Sequence, residues 1–247
     1  MKVLLCISHV PDTTSKIRFT DNDSVFDKTD IQYIIGPHEE LALTRLLEVK
    51  EAIGDMTITV INVGLKETEP TIRKALAVGA DDGIRVDADP TDALFVAKQI
   101  AEVYKQGDFN LIVTGKESID YNGSQVGEMI AELLDLPSIT STSHFEIKDG
   151  KAFLEREIDG GKEVIEVDFP FVSTSGKGFA IEPRIPSMRG IMQARKKPLS
   201  VVQPVDQENK TKTSKYYLPE AKGACKFVDP ENVDELVRLL HEEAKVL

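Results

Sequence analysis

The sequence contains no tryptophan, and aromatic residues make up only 6% of it. Its core must therefore be assembled mainly from aliphatic side chains. Two cysteines, Cys6 and Cys225, give neither a disulfide framework nor metal-ligand spacing and read as reduced thiols. Four histidines, His9, His38, His144 and His241, form no cysteine–histidine pattern, so no metal site is expected. No apolar run approaches membrane-spanning length, and strand-like residues from Lys2 onward leave no room for a signal or transit peptide. A soluble, cytoplasmic protein is the expectation. Bases are outnumbered by acids, 30 to 42, and the net charge of −12 argues against general nucleic-acid or anionic-membrane binding. Catalytic signatures are absent too. Ser124 lies outside any G-x-S-x-G context, no cysteine–histidine pair marks a nucleophile, and the acid pair Glu157 and Asp159 belongs to a turn. A binding or carrier role is favoured over an independent enzyme.

What is present centres on Thr114–Met129. An apolar run (Leu111, Ile112, Val113) ends in a polar, glycine-containing loop, which leads into Val126, Met129, Ile130 and Leu133 at helical spacing. That pattern predicts a buried strand, a loop over its carboxyl end and an amphipathic helix. A helix N-terminus offers unpaired N–H groups suited to an anion, and ligands of open α/β sheets sit outside the strands' carboxyl ends. The loop is not a Walker A motif, because Glu117 follows Gly115-Lys116, and no G-x-G-x-x-G occurs in the chain. A nucleotide site and a plain strand–helix connection both remain compatible with this spacing.

Along the chain, strands are predicted at Lys2–Ile7, Met56–Val63, Ile84–Val86 and Asn110–Val113. Helices are predicted from about His38 to Ile53, from Glu69-Pro70 to Gly79, and from an Asp89-Pro90 cap to about Lys105. Residues 13–35 read as a hairpin or irregular excursion. The alternation implies a doubly wound, mostly parallel α/β sheet with helices on both faces. After Pro137 the rhythm changes to antiparallel strands at Phe145–Ile147, Ala152–Ile158 and Glu163–Val167, then a last strand at Phe169–Thr174.

Residues 182–198 carry internal prolines and no helical or strand period. Between Arg184 and Pro198 they hold five basic residues and no acid, beside Ile185, Met188, Ile191 and Met192. Apolar anchors with a charged rim fit a protein-docking element, while a solvated basic connection is the plainer reading. From Val201 to Gly223 the chain is polar and reads as an extended arm, followed by a helix over Asn232–Val246. The expected division is an α/β nucleotide-binding domain over 1–200, including the docking loop, and an arm with its helix over 201–247.

Four blocks, ALAVGADDGIRV (75–86), GKESIDYNGSQVGEM (115–129), EREIDGG (155–161) and PRIPSMRGIMQARKKP (183–198), together resemble the β subunit of electron transfer flavoprotein. The resemblance implies an adenine-nucleotide α-hydrolase-like fold and an obligate α subunit that holds most of the redox FAD site. It implies a structural AMP in β, and a C-terminal arm that contacts α. It also implies electron transfer from acyl-CoA or other flavin dehydrogenases to a quinone-linked electron transfer flavoprotein oxidoreductase.

Carried over by motif, the AMP site comprises Cys6, then Gly36, Pro37, His38 and Glu39, then Val63. It continues through Gly115, Lys116, Glu117, Ser118, Ile119, Asp120, Tyr121, Asn122, Gly123, Ser124, Gln125 and Val126. Ser124, Gln125 and the helix-start N–H groups would face phosphate, and the backbone near Cys6 and Val63 would meet the adenine edge. In the docking loop Met188 takes the anchor position, with Ile191 and Met192 beside it and Arg184, Arg189, Arg195, Lys196 and Lys197 as its basic surroundings. Glu157 matches a glutamate at the edge of the electron-transfer interface. Two departures stand out: Gly36-Pro37-His38 replaces an Asn-Pro-aromatic sequence, so that His38 stands where an aromatic lies near the flavin, and a tyrosine often found shortly after the first strand is replaced around Thr13. An electron-bifurcating branch of the family binds a second FAD in place of AMP and oxidises NADH. Its Gly-Asp-Thr-Ala-Gln type of loop is only partly matched by Tyr121–Gln125. The carrier with AMP is the expectation, the bifurcating component its alternative, and a stand-alone nucleotide sensor leaves the basic loop and the arm without a role.

Overall fold

A computed structural model describes all residues, 1–247. Its strands are β1 (Lys2–Cys6), β2 (His9–Pro11), β3 (Phe19–Thr20), β4 (Val25–Phe26), β5 (Tyr33–Ile35), β6 (Thr57–Val63), β7 (Asp82–Val86), β8 (Leu111–Gly115), β9 (Ser138–Lys148), β10 (Lys151–Ile158), β11 (Gly161–Val167), β12 (Phe171–Ser175) and β13 (Leu199–Val202). Its helices are α1 (Pro37–Ile53), α2 (Glu69–Val78), α3 (Ala93–Gln106), α4 (Val126–Leu134), α5 (Met188–Ala194) and α6 (Val233–Glu242). No helix is long and apolar enough to cross a membrane.

Nine strands form one sheet in the order β11-β10-β9-β12-β8-β1-β6-β7-β13. Pairing from β9 to β13 is parallel throughout, and β10 and β11 extend the sheet antiparallel beyond β9. The parallel part is buried on both faces because side chains of each strand alternate between two helical layers. Val3 and Leu5 of β1 pack with Leu43, Leu46, Ile72 and Leu76 of α1 and α2. Leu4 and Cys6 pack with Ala97, Ile100, Ile130 and Ala131 of α3 and α4. Crossovers on both faces make the sheet doubly wound, as expected.

Local outcomes differ in three places. The cap of α3 is Asp92, whose side chain accepts from the Phe95 N–H at 2.7 Å, and not Asp89. Asp92 Oδ2 also accepts from the N–H groups of Lys210 and Thr211, fastening the chain after β13 to this corner. The 13–35 excursion is as expected, with β3 and β4 paired as a small hairpin and β5 pairing back onto β2, which precedes it. Residues 199–202, expected to lead into the arm, instead close the sheet edge beside β7.

The third difference is α5, inside the segment without periodicity. Seven residues are too few to display a helical period, so its causes lie in its caps and its seat. Ser187 caps it by accepting from Gly190 N–H at 3.0 Å. A Cβ at Gly190 would overlap the carbonyl oxygen of Ala77, so only glycine lets α5 approach the end of α2 this closely. Arg73 Nη1 then donates to the carbonyls of Ala194 and Lys197, both at 2.7 Å, at the end of α5. Lys197 Nζ returns the arrangement by donating to Leu76 O and Ala80 O at the end of α2, at 2.9 and 2.6 Å. Each helix C-terminus thus holds a cation from the other segment, the favourable end for positive charge. Arg73→Ala is expected to lower stability by about 2 kcal/mol and to raise amide exchange across 190–197 while β1 and β6 stay protected. Unchanged exchange in 190–197 would contradict this seat.

Candidate functional site

The chain leaves β1 through α1 to β6 and β7 on one side, and returns through α3 to β8 on the other. Connections leaving β1 and β8 therefore diverge, and a crevice opens beyond their carboxyl ends. Ser8 follows β1, Gly115 ends β8, Val63 ends β6, and the N-termini of α1 and α4 border the gap. Beside it, the Ser175 hydroxyl at the end of β12 donates to His38 O at 2.9 Å or to Thr114 O at 3.1 Å, tying α1 to β8.

Glu39, in the first turn of α1, enters this crevice. It is 4% exposed, and its Oε1 accepts from the Ser8 hydroxyl at 2.8 Å. Oε2 is buried with no hydrogen-bond partner. Glycines make room for the group: a Cβ at Gly36 would overlap Oε2, and one at Gly115 would lie 2.7 Å from the carboxyl carbon. Burial, opposed by hydrogen bonds from Ser8 and backbone and reinforced by the charge of Asp120, pushes the Glu39 carboxyl up to about 7. Burial, with Glu39 beside it, likewise raises the Cys6 thiol, which stays protonated and inert. His38, half-buried at the second position of α1, is lowered by burial while Glu117 raises it and Lys116 lowers it.

The loop from Lys116 to Gln125 spans the crevice's other side. Asn122 and Ser124 adopt positive φ, 50° and 47°, and Asn122 N–H closes a turn onto Ser118 O at 2.8 Å. The Ser124 hydroxyl donates to Glu117 Oε2 at 3.0 Å, so its backbone is what it can offer an anion. Gln125 stands at the N-cap of α4 without a side-chain capping bond. The first-turn N–H groups of α4 are therefore available as donors. Tyr121 is 66% exposed, and the neighbouring Tyr216 of the C-terminal arm raises its hydroxyl. Tyr216 in turn stacks on Phe19 with ring centroids 4.7 Å apart. Lys116 and Asp120 are exposed, and Ser118 and Ile119 are half-buried.

Gly36–Glu39 and Gly115 thus meet at the end of β1, with Cys6 and Val63 buried at neighbouring strand ends. Motif matching did not reach Ser8, Asn62, Glu128 or Ser175. Asn62 Nδ2 donates to Ile7 O at 2.9 Å, yet its Oδ1 is buried and unpartnered. Glu128 Oε2, in the first turn of α4, is the third such atom. All three unpartnered buried side-chain atoms of the protein are acceptors, on three elements that end or begin at this one edge of the sheet. A polar residue closing a β-branched run, as Asn62 does in TITVINV, is the signal that could have found one of them.

Around α5 the apolar side chains are open to solvent: Ile185 is 90% exposed, Met188 77% and Met192 63%. Arg189, Arg195 and Lys196 are exposed beside them, and Ile191 is partly covered. Arg184 and Lys197 are committed inward. Arg184 makes a bidentate pair with Glu51 at 2.6 and 2.7 Å, and Lys197 caps α2. Glu157 is exposed near the end of β10, opposite Lys162, two strands away from β12 and outside the crevice.

Fold and site together define a class: a doubly wound α/β protein with a polar crevice at its topological switch point. The family profile described as the electron transfer flavoprotein domain matches residues 23–207. The electron transfer flavoprotein subunit beta of Bacillus subtilis is 37% identical over 230 residues, covering 87% of this chain and 89% of the relative. That of Syntrophomonas wolfei is 38% identical over 232 residues, covering 94% and 91%. The Homo sapiens subunit is 30% identical over 253 residues, covering 100% and 99%. The chain belongs to the electron transfer flavoprotein β-subunit family.

The Glu39 carboxyl yields a prediction with a definite sign. Its folded value is raised, so the folded state binds more protons than the unfolded one between pH 4.5 and about 7, and stability falls as pH rises through that window. Relative to Glu39→Gln, the nucleotide-free protein is expected to lose up to about 3 kcal/mol between pH 5 and 8, read by urea unfolding at each pH. A difference that does not change with pH would contradict the placement of the carboxyl.

Proposed function

We propose that the chain is the β subunit of a heterodimeric electron-transfer flavoprotein in the cytoplasm. It would bind a structural AMP in the crevice and carry electrons from acyl-CoA or other flavin dehydrogenases to a quinone-linked acceptor. The observation that carries the nucleotide part is the gathering of the unpartnered buried acceptors Glu39 Oε2, Asn62 Oδ1 and Glu128 Oε2 at one edge of the sheet. Buried acceptors without donors are rare, and together they call for a ligand that brings N–H or O–H groups. Donors for a phosphate lie across the crevice, on the first turn of α4 and the glycine-containing loop before it. Unpartnered acceptors at Glu39 and Asn62, facing the backbone donors at the start of α4 beside Glu128, fit a nucleoside monophosphate. FAD, shared with and held mostly by an α subunit, supplies the electron chemistry when bound.

This chain's own part in electron transfer is then to hold and to dock. Met188 and its neighbours Ile185 and Met192 form an exposed apolar surface with Arg189, Arg195 and Lys196 at its margin, the composition of a partner-binding patch. Glu157 would lie at the margin of that partner interface. The arm offers a second uncovered surface. No residue of α6 is buried, and Tyr217, Leu218, Phe227 and Val233 are 78%, 61%, 95% and 60% exposed. An α subunit lying against the arm and helix would cover them, leaving residues 1–200 as the domain for nucleotide and dehydrogenase.

Two measurements test this reading. Acid release from the heterodimer should yield one FAD and one AMP. Two FADs with reduction by NADH would replace the carrier with a bifurcating component, and a stable monomer without FAD would sink both. Met188→Ala should lower the rate constant for electron transfer from a dehydrogenase about tenfold, the loss of an interface anchor worth more than about 1 kcal/mol, with bound nucleotide retained. An unchanged rate would remove Met188 as the anchor.

A further inference from the structure

Glu39 is an unusual neighbour for an anionic ligand. Replacing it by a small apolar residue would remove a buried carboxyl that is 4% exposed and has one oxygen without a donor. Instead the surrounding chain accommodates it, with glycine at both positions, 36 and 115, where a Cβ would press on the carboxyl. Like charges exclude a phosphate from its vicinity unless the carboxyl is protonated. The free first-turn N–H groups of α4 are the donors the crevice offers a phosphate, which places it at that end and the nucleoside at the β1 end. We propose that Glu39 Oε2 accepts a hydrogen bond from the nucleoside part of the ligand, an exocyclic amine of the base or a ribose hydroxyl, and that nucleotide binding thereby expels one proton from the crevice.

This assignment rests on the adenine-nucleotide reading above and adds to it a recognition residue and a proton linkage. The groups that face Glu39 are few. Cys6 on β1 is a protonated thiol, Ser8 donates its hydroxyl to Oε1, and Asp120 on the 116–125 loop contributes only repulsion. On α1 itself, His38 answers to Glu117 and Lys116. Gly115 on β8 has no side chain, and Ser175 on β12 spends its hydroxyl on backbone carbonyls. No cation stands among the groups acting on the carboxyl. Free of ligand, it therefore keeps its proton up to about pH 7. A donor arriving at Oε2 favours the ionised form, so the ligand's N–H or O–H takes the place of the bound proton, which leaves to solvent. Affinity then rises with pH up to the point where Glu39 is already ionised in the free protein.

The test uses the heterodimer co-purified with its α subunit, stripped of nucleotide and titrated calorimetrically with AMP at pH 6 and 8 in two buffers of different ionisation enthalpy. AMP's own phosphate titrates in this range, so the readout is the wild type compared with Glu39→Gln. Wild type should gain about tenfold more affinity than the variant between pH 6 and 8 and release more protons at pH 6. Ser8→Ala, which removes the only side-chain donor to the carboxylate, should move the midpoint of this gain to higher pH. Inosine monophosphate and the 2′- and 3′-deoxy forms of AMP separate the two donors. Selective weakening of the inosine nucleotide in wild type but not in Glu39→Gln identifies the base amine, and selective weakening of a deoxy form identifies the ribose. Equal pH dependence and equal analogue ranking in wild type and both variants, with AMP still bound, would overturn the role of Glu39 and leave the AMP site standing. No AMP binding to wild type at either pH would overturn both.

Discussion

The meeting of the Glu39 carboxyl with Ser8, Gly36 and Gly115 is the constraint on which the site's geometry depends. It brings the first turn of α1 against the ends of the two central strands, β1 and β8, where the winding of the sheet reverses. A carboxyl can be buried there only because two backbone positions lack a Cβ, and it remains half-satisfied, with Oε1 bonded and Oε2 without a partner. That incomplete satisfaction is an energetic debit for the free protein and an asset for a ligand able to complete it. Ser175 adds the third strand: by bonding to His38 O or Thr114 O it holds β12, β8 and α1 in one register.

The layered fold was readable from sequence because parallel strands and their helices carry strong, redundant signals. KVLLC is a short apolar run, TITVINV a β-branched one, and α2 begins at Glu69-Pro70 and is closed by Gly79. The site was readable only in outline. Strand ends and helix starts could be placed, but which side chains meet across them depends on contacts between distant positions, as between Ser8, Glu39 and Gly115. Nothing about Glu39 in GPHEEL distinguishes it from Glu40, its neighbour. One turns into the crevice, while the other is half-buried and pairs with Lys74 at 2.6 Å. At residues 89–92, Asp89 and Asp92 are both plausible caps; Asp92 takes the position by accepting from Phe95 N–H, and residues 210 and 211 add two further bonds to it.

Short elements failed to announce themselves for a different reason. α5 has two turns and β13 four residues, too little for a periodic pattern to emerge. Both are stabilised by what they touch: α5 by Arg73 and the opening at Gly190, β13 by the free edge of β7. Basic residues within 182–198 that look alike in composition consequently divide into two kinds. Arg184 and Lys197 secure the two ends of the segment to α1 and α2, and Arg189, Arg195 and Lys196 remain free of ion pairs.

Those anchors place α1 in a double role. Its N-terminal turn carries His38 and Glu39 into the crevice, whereas further along Thr44 accepts the Arg184 N–H at 2.9 Å and Glu51 holds the Arg184 guanidinium. A helix of 17 residues is about 25 Å long, and this one buries Ala42, Leu43, Leu46, Leu47 and Val49 along its length. So supported, it is a strut and not a hinge. It sets the position of the apolar surface around Met188 relative to the sheet edge where Glu39 lies. Any disturbance of the crevice that tilts the first turn of α1 must either be absorbed by the buried face of the helix or be carried to Arg184. Close packing makes absorption costly. A nucleotide that completes the bonds of Glu39 would therefore stabilise the crevice and, through the same helix, the seating of the docking segment.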